Sequence, residues 1–181
     1  KRGPGGAYGA LAAGAALPCR AGTYSNSESL QAASACTDCP KGSACSTGST
    51  AHSPCAPGTI APNLKSATCD ACVAGKFQDA TGTTECKTCT AGYYCGEGAA
   101  AALPCPAGTR KDTSLAVMTS ESQCVTCDAG TFCSVGSAAQ TPCAPGTFNN
   151  QAGQETCTNC DAGKYQDESG QRSCKQCPAG S

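Results

Sequence analysis

Large apolar residues are sparse along this chain, and they fall at fixed places in a repeating pattern. In most repeats an aromatic ring lies two residues after a glycine and is followed by polar residues. Residues 164–167 read Lys-Tyr-Gln-Asp and lead into the turn-forming Glu-Ser-Gly of residues 168–170, which is typical of a short strand entering a turn. A return strand towards Cys174 would complete a hairpin. Since helical periodicity is nowhere sustained, the pattern predicts short β-hairpins without regular helices.

Each repeat opens with the signature C-x-x-G. A glycine at one fixed offset predicts a turn with positive φ, or a close approach that a side chain would block. The opening cysteines are Cys19, Cys39, Cys55, Cys72, Cys89, Cys105, Cys127, Cys143, Cys160 and Cys177. The signature glycines are Gly22, Gly42, Gly58, Gly75, Gly92, Gly108, Gly130, Gly146, Gly163 and Gly180.

Two kinds of repeat alternate. A long-loop unit has 13 to 18 residues between its two cysteines, whereas a short-loop unit reads C-x-x-G-x-x-C followed by nine residues. A degenerate short-loop unit at the N-terminus carries Gly3 and Gly9 in place of its cysteines. The order short, long, short, long, long then occurs twice, which indicates a tandem duplication. We expect the degenerate unit at 1–18, the rest of the first block at 19–88, the second block at 89–176 and the start of a further unit at 177–181.

Cysteine content decides the class of fold. The chain has 19 Cys in 181 residues, and Leu, Ile, Val, Phe, Met and Tyr together number only 20. So little apolar area cannot stabilise a globule of this length, so stability must come from disulfides. Disulfides persist in oxidising compartments, which predicts a secreted or cell-surface protein. The net charge of -1 favours neither nucleic acid nor an anionic membrane as a partner, and no apolar run approaches the length of a membrane span.

The degenerate unit suggests how the cysteines pair. Because the cysteines at Gly3 and Gly9 are lost together, we expect each unit to close on itself, although a staggered pairing stays open. This scheme leaves Cys177 unpaired, with its partner expected at position 183 of a longer chain. The expected pairs are Cys19–Cys36, Cys39–Cys45, Cys55–Cys69, Cys72–Cys86, Cys89–Cys95, Cys105–Cys124, Cys127–Cys133, Cys143–Cys157 and Cys160–Cys174.

The aromatic residues give an expectation for packing. Seven of the eight lie two residues after a signature glycine, and one ring beside a disulfide would form the whole core of each unit. Units would contact only their immediate neighbours, and the two-residue C-x-x-C links would be stiff. We therefore expect an extended, rod-like array with no single hydrophobic core. The aromatic residues at this place are Tyr8, Tyr24, Phe77, Tyr94, Phe132, Phe148 and Tyr165.

The signature C-x-x-G-[TK]-[YF], with C-x-x-C at the unit end, resembles the cysteine-rich modules of tumour-necrosis-factor receptors, and still more the ephrin-receptor-like repeat family. The resemblance covers residues 19–181 and implies an extracellular, disulfide-laddered stalk. Nothing here matches the loops by which receptors of these families bind ligands. Long repeat arrays rich in Ala and Gly are also similar to the shaft proteins of algal flagellar hairs, the mastigonemes.

Zinc binding, catalysis and calcium binding are the alternatives to a purely structural role for these residues. Two sets of C-x-x-C pairs come close to zinc-ribbon spacing, but short-loop cysteines would be left over. The lone histidine, His52, lies in a Ser/Thr-rich stretch and lacks the partners of a catalytic base. Asp79, Asp167 and Glu168 fall in expected hairpin turns and are too few for a calcium site. We therefore predict no catalytic residue, no cofactor and no metal site. The zinc-like sets are Cys69, Cys72, Cys86 and Cys89, and Cys157, Cys160, Cys174 and Cys177.

Three functions remain. The first is a non-catalytic structural subunit of an extracellular or cell-surface filament, with copies of itself or other filament subunits as partners. The second is a receptor-type stalk that binds a protein ligand through the long loop of residues 110–122, where exposed apolar and charged residues would lie. The third is an intracellular zinc-binding array. No Asn lies in N-x-[ST], so sugar would be O-linked, on Ser or Thr.

Overall fold

The computed structural model of the chain describes residues 7–9, 16–27, 30 and 32–178. The chain forms two compact units, Lys1–Thr88 with Glu97–Ala101, and Cys89–Gly96 with Ala102–Ser181. Within each unit the described residues form two-stranded antiparallel hairpins. The predicted fold of small disulfide-rich repeats with short β-hairpins is thus confirmed.

The strands are short because they are bounded by turns and cysteines: from Thr23–Tyr24 onwards a turn with a positive-φ glycine precedes the first strand of each hairpin, and a cysteine follows the second. In chain order they are Ala7–Gly9 (β1), Ala16–Pro18 (β2), Thr23–Tyr24 (β3), Thr37–Asp38 (β4), Ser43–Ala44 (β5), Ser53–Pro54 (β6), Thr59–Ile60 (β7), Asp70–Ala71 (β8), Lys76–Phe77 (β9), Lys87–Thr88 (β10), Tyr93–Tyr94 (β11), Leu103–Pro104 (β12), Thr109–Lys111 (β13), Cys124–Thr126 (β14), Thr131–Phe132 (β15), Thr141–Pro142 (β16), Thr147–Phe148 (β17), Thr158–Asn159 (β18), Lys164–Tyr165 (β19) and Lys175–Gln176 (β20). Each odd-numbered strand pairs with the strand that follows it. In the described residues, helical structure is confined to two 3₁₀ turns, Ala33–Ala35 and Glu121–Gln123.

A threonine closes the turn before many of the first strands. The hydroxyl of Thr59 donates to the carbonyl of Ala56 at 2.8 Å, and Thr147 donates to Ala144 at 2.7 Å. The same contact to the carbonyl three residues earlier occurs at Thr23, Thr109 and Thr131. The Thr that often follows the signature glycine therefore has a local structural role.

The buried core consists largely of cysteine sulfur. Opening cysteines such as Cys19, Cys72 and Cys127 are fully buried. The few other buried apolar residues in the described part of the chain are Leu30, Ala61 and Met118. This composition agrees with stabilisation by crosslinks rather than by a large apolar core.

The aromatic rings do not form the unit cores, so that expectation is wrong. Tyr24, Phe77 and Phe148 are half-buried, and Tyr165 is 39% exposed. In the described repeats other than the one opened by Cys105, where Lys111 is half-buried, the buried position is the next one along the chain, three residues after the signature glycine. The ring is the last residue of its strand, and successive side chains of extended backbone point to opposite sides, so the ring and the residue after it do not both point inward.

Candidate functional site

One disulfide closes each of the nine repeats opened by Cys19 through Cys160. The structure joins the cysteines in the nine within-unit pairs expected from the sequence, and the staggered pairing does not occur among them. The Cα atoms of the paired cysteines are 5.7 to 6.3 Å apart, in the range typical of disulfides. Cys177 has no disulfide partner and is exposed.

One hydrogen-bonded junction between consecutive repeats recurs at six places in the described chain. At the junction between the repeats opened by Cys39 and Cys55, the signature Gly42 makes two backbone hydrogen bonds. Its N–H donates to the carbonyl of Ala61 at 2.8 Å, and its carbonyl accepts from the N–H of Cys55 at 2.9 Å. Both partners belong to the following repeat, so the turn glycine holds two repeats together.

Two further backbone hydrogen bonds complete this junction. The N–H of Cys45 donates to the carbonyl of Ser66 at 3.0 Å, and the N–H of Lys65 donates to the carbonyl of Cys39 at 2.9 Å. The same set of four bonds, which we call the four-bond junction, does not depend on loop length. It also joins the repeats opened by Cys19 and Cys39, Cys55 and Cys72, Cys105 and Cys127, Cys127 and Cys143, and Cys143 and Cys160.

Repeats also contact the repeat after the next one, so the expectation that only immediate neighbours touch is wrong. A Cβ added at Gly22 would overlap the carbonyl oxygen of Lys65, which lies two repeats further along. A Cβ at Gly42 would in the same way overlap the carbonyl oxygen of Gly82. The nine signature glycines in the described residues also have positive φ, between +77° and +88°, whereas Gly180 lies outside those residues. Both reasons for glycine that the signature suggests therefore hold at Gly22 and Gly42.

Side-chain amides replace cysteine in several long-loop units. Three residues after the signature glycine, short-loop units carry their second cysteine, whereas long-loop units carry Gln78, Asn149 and Gln166, all buried. The amide of Gln78 donates to the carbonyl of Glu85 at 2.6 Å, and its oxygen accepts from the N–H of Ala80 at 3.0 Å. Such a buried amide with both ends satisfied crosslinks the loop by hydrogen bonds.

The amide role is the same in the second block. Gln166 donates to the carbonyl of Ser173 at 2.8 Å, and Asn149 donates to the carbonyl of Thr156 at 3.1 Å. In each case the acceptor is the residue before the closing cysteine. The sequence analysis missed these residues, although a Gln or Asn at the short-loop cysteine's place was the available signal.

The long loop of residues 110–122 is folded against the preceding short-loop unit, which is opened by Cys89. Met118, expected on an exposed contact loop, is only 1% exposed, and its carbonyl accepts from the N–H of Cys95 at 3.1 Å. Ser120 and Gln123 form a capping box around the second 3₁₀ turn. The expectation of exposed apolar residues is therefore wrong at Met118, because this methionine supplies apolar volume where the unit has little else to bury.

Two matching ion pairs lie on the surface, one in each block. The ammonium of Lys87 lies 2.5 Å from the carboxylate of Asp79, and Lys175 lies 2.6 Å from Asp167. Each lysine also lies over the ring opposite it in the hairpin, 5.8 Å from the centre of Phe77 in the first block. Because each lysine donates a hydrogen bond to its partner, the pKa values of Asp79 and Asp167 are lowered below their ordinary value. The turn role expected for these acidic residues thus includes a local ion pair.

His52 is exposed and makes local contacts. Its Nδ1 lies 3.1 Å from the hydroxyl of Ser43, and its ring packs edge-on against Tyr24 with centroids 5.6 Å apart. Among the described residues, no group of three or more His, Cys, Asp or Glu is placed to hold a metal ion. In the first zinc-like set, Cys72 and Cys86 are bonded to each other, and Cys69 and Cys89 are bonded to Cys55 and Cys95. Their sulfurs are therefore not available as thiolate ligands.

An open cavity of about 350 Å³ lies among the described residues of the unit formed by Lys1–Thr88 and Glu97–Ala101. It is lined by Ile60, Ala71, Val73, Lys76, Thr84, Glu85 and Cys86. No helix in the described part of the chain has the length and apolar character needed to cross a membrane.

Comparison with known proteins identifies the repeat. A model of the family described as "Tyrosine-protein kinase ephrin type A/B receptor-like" matches residues 146–181. No curated protein matches the chain. Residues 146–178 contain one long-loop disulfide and three of the four bonds of the junction between the repeats opened by Cys143 and Cys160. The segment of residues 146–181 is therefore similar to an ephrin-receptor-like repeat, and the chain as a whole is a cysteine-rich repeat protein.

The family match and the disulfides together indicate where the protein is located. The matching module is of a receptor-like, cysteine-rich kind that is generally non-catalytic. Nine disulfides and a receptor-like repeat together indicate an extracellular or cell-surface protein.

Proposed function

We propose that this chain is a non-catalytic structural subunit of an extracellular or cell-surface filament, such as a flagellar hair. The observation that carries the proposal is the four-bond junction, which recurs between repeats of different loop length. The regularly spaced signature residues join one repeat to the next, and a chain built in this way is suited to bearing load along its length. The partners would be copies of the chain or other filament subunits.

Duplication supports the same conclusion. The two blocks carry the same ion pair over an aromatic ring, formed by Lys87 and Asp79 in one and by Lys175 and Asp167 in the other. Surfaces that recur along a chain offer the same contact to a partner more than once. Contacts between unlike patches of identical subunits propagate into open filaments.

Electron microscopy of the native source tests the proposal. An antibody against residues 110–122, a segment without a counterpart of equal length in the other repeats, should label filaments at regular intervals. An antibody against an unrelated surface protein of the same cells is the control. Label confined to dispersed molecules, with filaments unlabelled, would contradict the structural role.

A receptor-type stalk is the second candidate. It is favoured by the loop of residues 110–122, which is longer than those of the other repeats and places Arg110, Lys111 and Asp112 together. A soluble ligand bound through this loop would be lost on charge reversal of Lys111. The matched control is charge reversal of Lys41, which lies in the signature turn of a short-loop unit. Ligand loss specific to Lys111 would favour the receptor over the filament.

A further inference from the structure

Hydroxyl groups fall into two sets on this chain. In one set the hydroxyl is engaged, as at Thr59 and Thr147, which donate to the carbonyls of Ala56 and Ala144. In the other set the residue is exposed and the hydroxyl makes no hydrogen bond within the described residues, as at Ser53, Thr141 and Thr158. Only hydroxyls of the second kind are free to react with an external group.

Ser53 and Thr141 are distinguished within this set by the proline that follows each of them. They are the two Ser/Thr-Pro steps of the sequence, and they occupy the same place in the second short-loop unit of each block. Both lie on the return strand of a hairpin, in β6 and β16. Proline excludes the helical conformation at the residue before it, so each hydroxyl stands on an extended backbone that is set in advance.

The first short-loop units show that this position faces outward regardless of its side chain. They carry Leu17 and Leu103 at the corresponding place before proline, and these side chains are 46% and 51% exposed. An apolar side chain left in water there shows that packing does not select the residue. Hydroxyl groups at Ser53 and Thr141 are therefore not required by the fold.

We propose that Ser53 and Thr141 are acceptor sites for O-linked sugar, attached by an enzyme that uses a nucleotide sugar as donor. The hydroxyl oxygen attacks the anomeric carbon of the donor, the bond from that carbon to the phosphate oxygen breaks, and the nucleoside diphosphate leaves. The hydroxyl proton passes to a base of the transferase. The inference rests on the extracellular setting of the proposed function, but not on assembly into filaments.

Mass mapping of proteolytic peptides from the native protein tests the proposal. Peptides with Ser53 and Thr141 should carry hexose or N-acetylhexosamine mass increments, which are lost on chemical deglycosylation. Fragmentation of these peptides should place the increments at Ser53 and Thr141 and none at the engaged hydroxyls of Thr59 and Thr147. Unmodified Ser53 and Thr141 in the secreted protein would overturn the proposal, as would a phosphate increment at these residues.

Variants secreted by cells of the native source separate the role of proline from that of exposure. Thr141→Val should abolish the sugar on its peptide, whereas Thr158→Val, at an exposed strand residue without a following proline, should leave the sugar pattern unchanged. Pro142→Ala keeps the hydroxyl and should lower occupancy at Thr141 severalfold, with an unchanged disulfide map as the control for folding. Full occupancy in Pro142→Ala would refute the role of the extended pre-proline backbone. Electron microscopy of Thr141→Val asks separately whether filaments form, so sugar attachment and assembly can fail independently.

Discussion

Replacing a signature glycine by alanine separates the two reasons for glycine at this place. Gly58 and Gly146 form a matched pair, since both follow Cys-Ala-Pro, precede Thr and have φ of +84°. A Cβ at Gly58 would overlap the carbonyl oxygen of Gly98, which lies two repeats further along. In the 181-residue chain a Cβ at Gly146 meets nothing within 4 Å, since this chain includes only residues 177–181 of the repeat two further along. Gly58→Ala thus combines backbone strain with overlap, and Gly146→Ala introduces the strain alone.

The expected magnitudes follow from this geometry. The left-handed conformation costs an alanine about 1–2 kcal/mol, and this cost is common to both variants. Overlap with a backbone carbonyl adds about 1–3 kcal/mol at Gly58 alone, since a main-chain atom in a disulfide-closed repeat cannot move aside freely. Gly58→Ala is therefore expected to destabilise its junction by about 1–3 kcal/mol more than Gly146→Ala destabilises its own.

Amide hydrogen exchange measured by NMR, with disulfides intact, reads out each junction locally. The N–H of Cys72 donates to the carbonyl of Gly58, and the N–H of Cys160 donates to the carbonyl of Gly146, both at 2.9 Å. Because about 1.4 kcal/mol corresponds to a factor of ten, protection of Cys72 should fall at least several-fold further than protection of Cys160. Equal losses in the two variants would refute the argument from close approach.

Three further predictions concern the crosslinks and the surface charges. Mapping of non-reduced peptides should recover Cys39 bonded to Cys45, and a bond from Cys39 to Cys55 would contradict the within-unit scheme. Full reduction should remove the structure seen by hydrogen exchange, because each disulfide contributes about 2–4 kcal/mol, whereas a chelator should change nothing; unfolding by the chelator alone would point to bound metal instead. The hydrogen bond from Lys175 lowers the pKa of Asp167, so this carboxyl binds fewer protons in the folded state than in the unfolded state. The ion pair therefore stabilises the fold above pH 3.8, the ordinary pKa of the group, and this stabilisation is lost as the pH falls through the folded pKa. NMR titration of the Asp167 carboxyl should show this lowered pKa, and Lys175→Met should return it towards 3.8; a titration unchanged by that substitution would show that the pair does not form.

The local features of this fold can be predicted from the sequence because they depend on short stretches of chain. The disulfides close loops with sequence separations of 6 to 19, so the spacing of cysteines carries the information for their pairing. The signature glycine lies in a turn whose conformation is set within a few residues. Hairpins follow from the turn and from the strand-forming residues on either side of it. Each of these inferences needs only one repeat.

The features that only the tertiary structure reveals are contacts between repeats and the burial of side chains inside a loop. Spacing does not reveal that Gly22 packs against Lys65 two repeats away, or that Gln78 crosslinks its own loop by its amide. Nor does it show that Met118 is buried while the ring of Tyr165 is 39% exposed, because both are apolar side chains in short polar segments. Burial in so small a core depends on which face of a two-residue strand meets the next repeat. That choice is made by the backbone hydrogen bonds of the junction, which join residues that no local pattern connects.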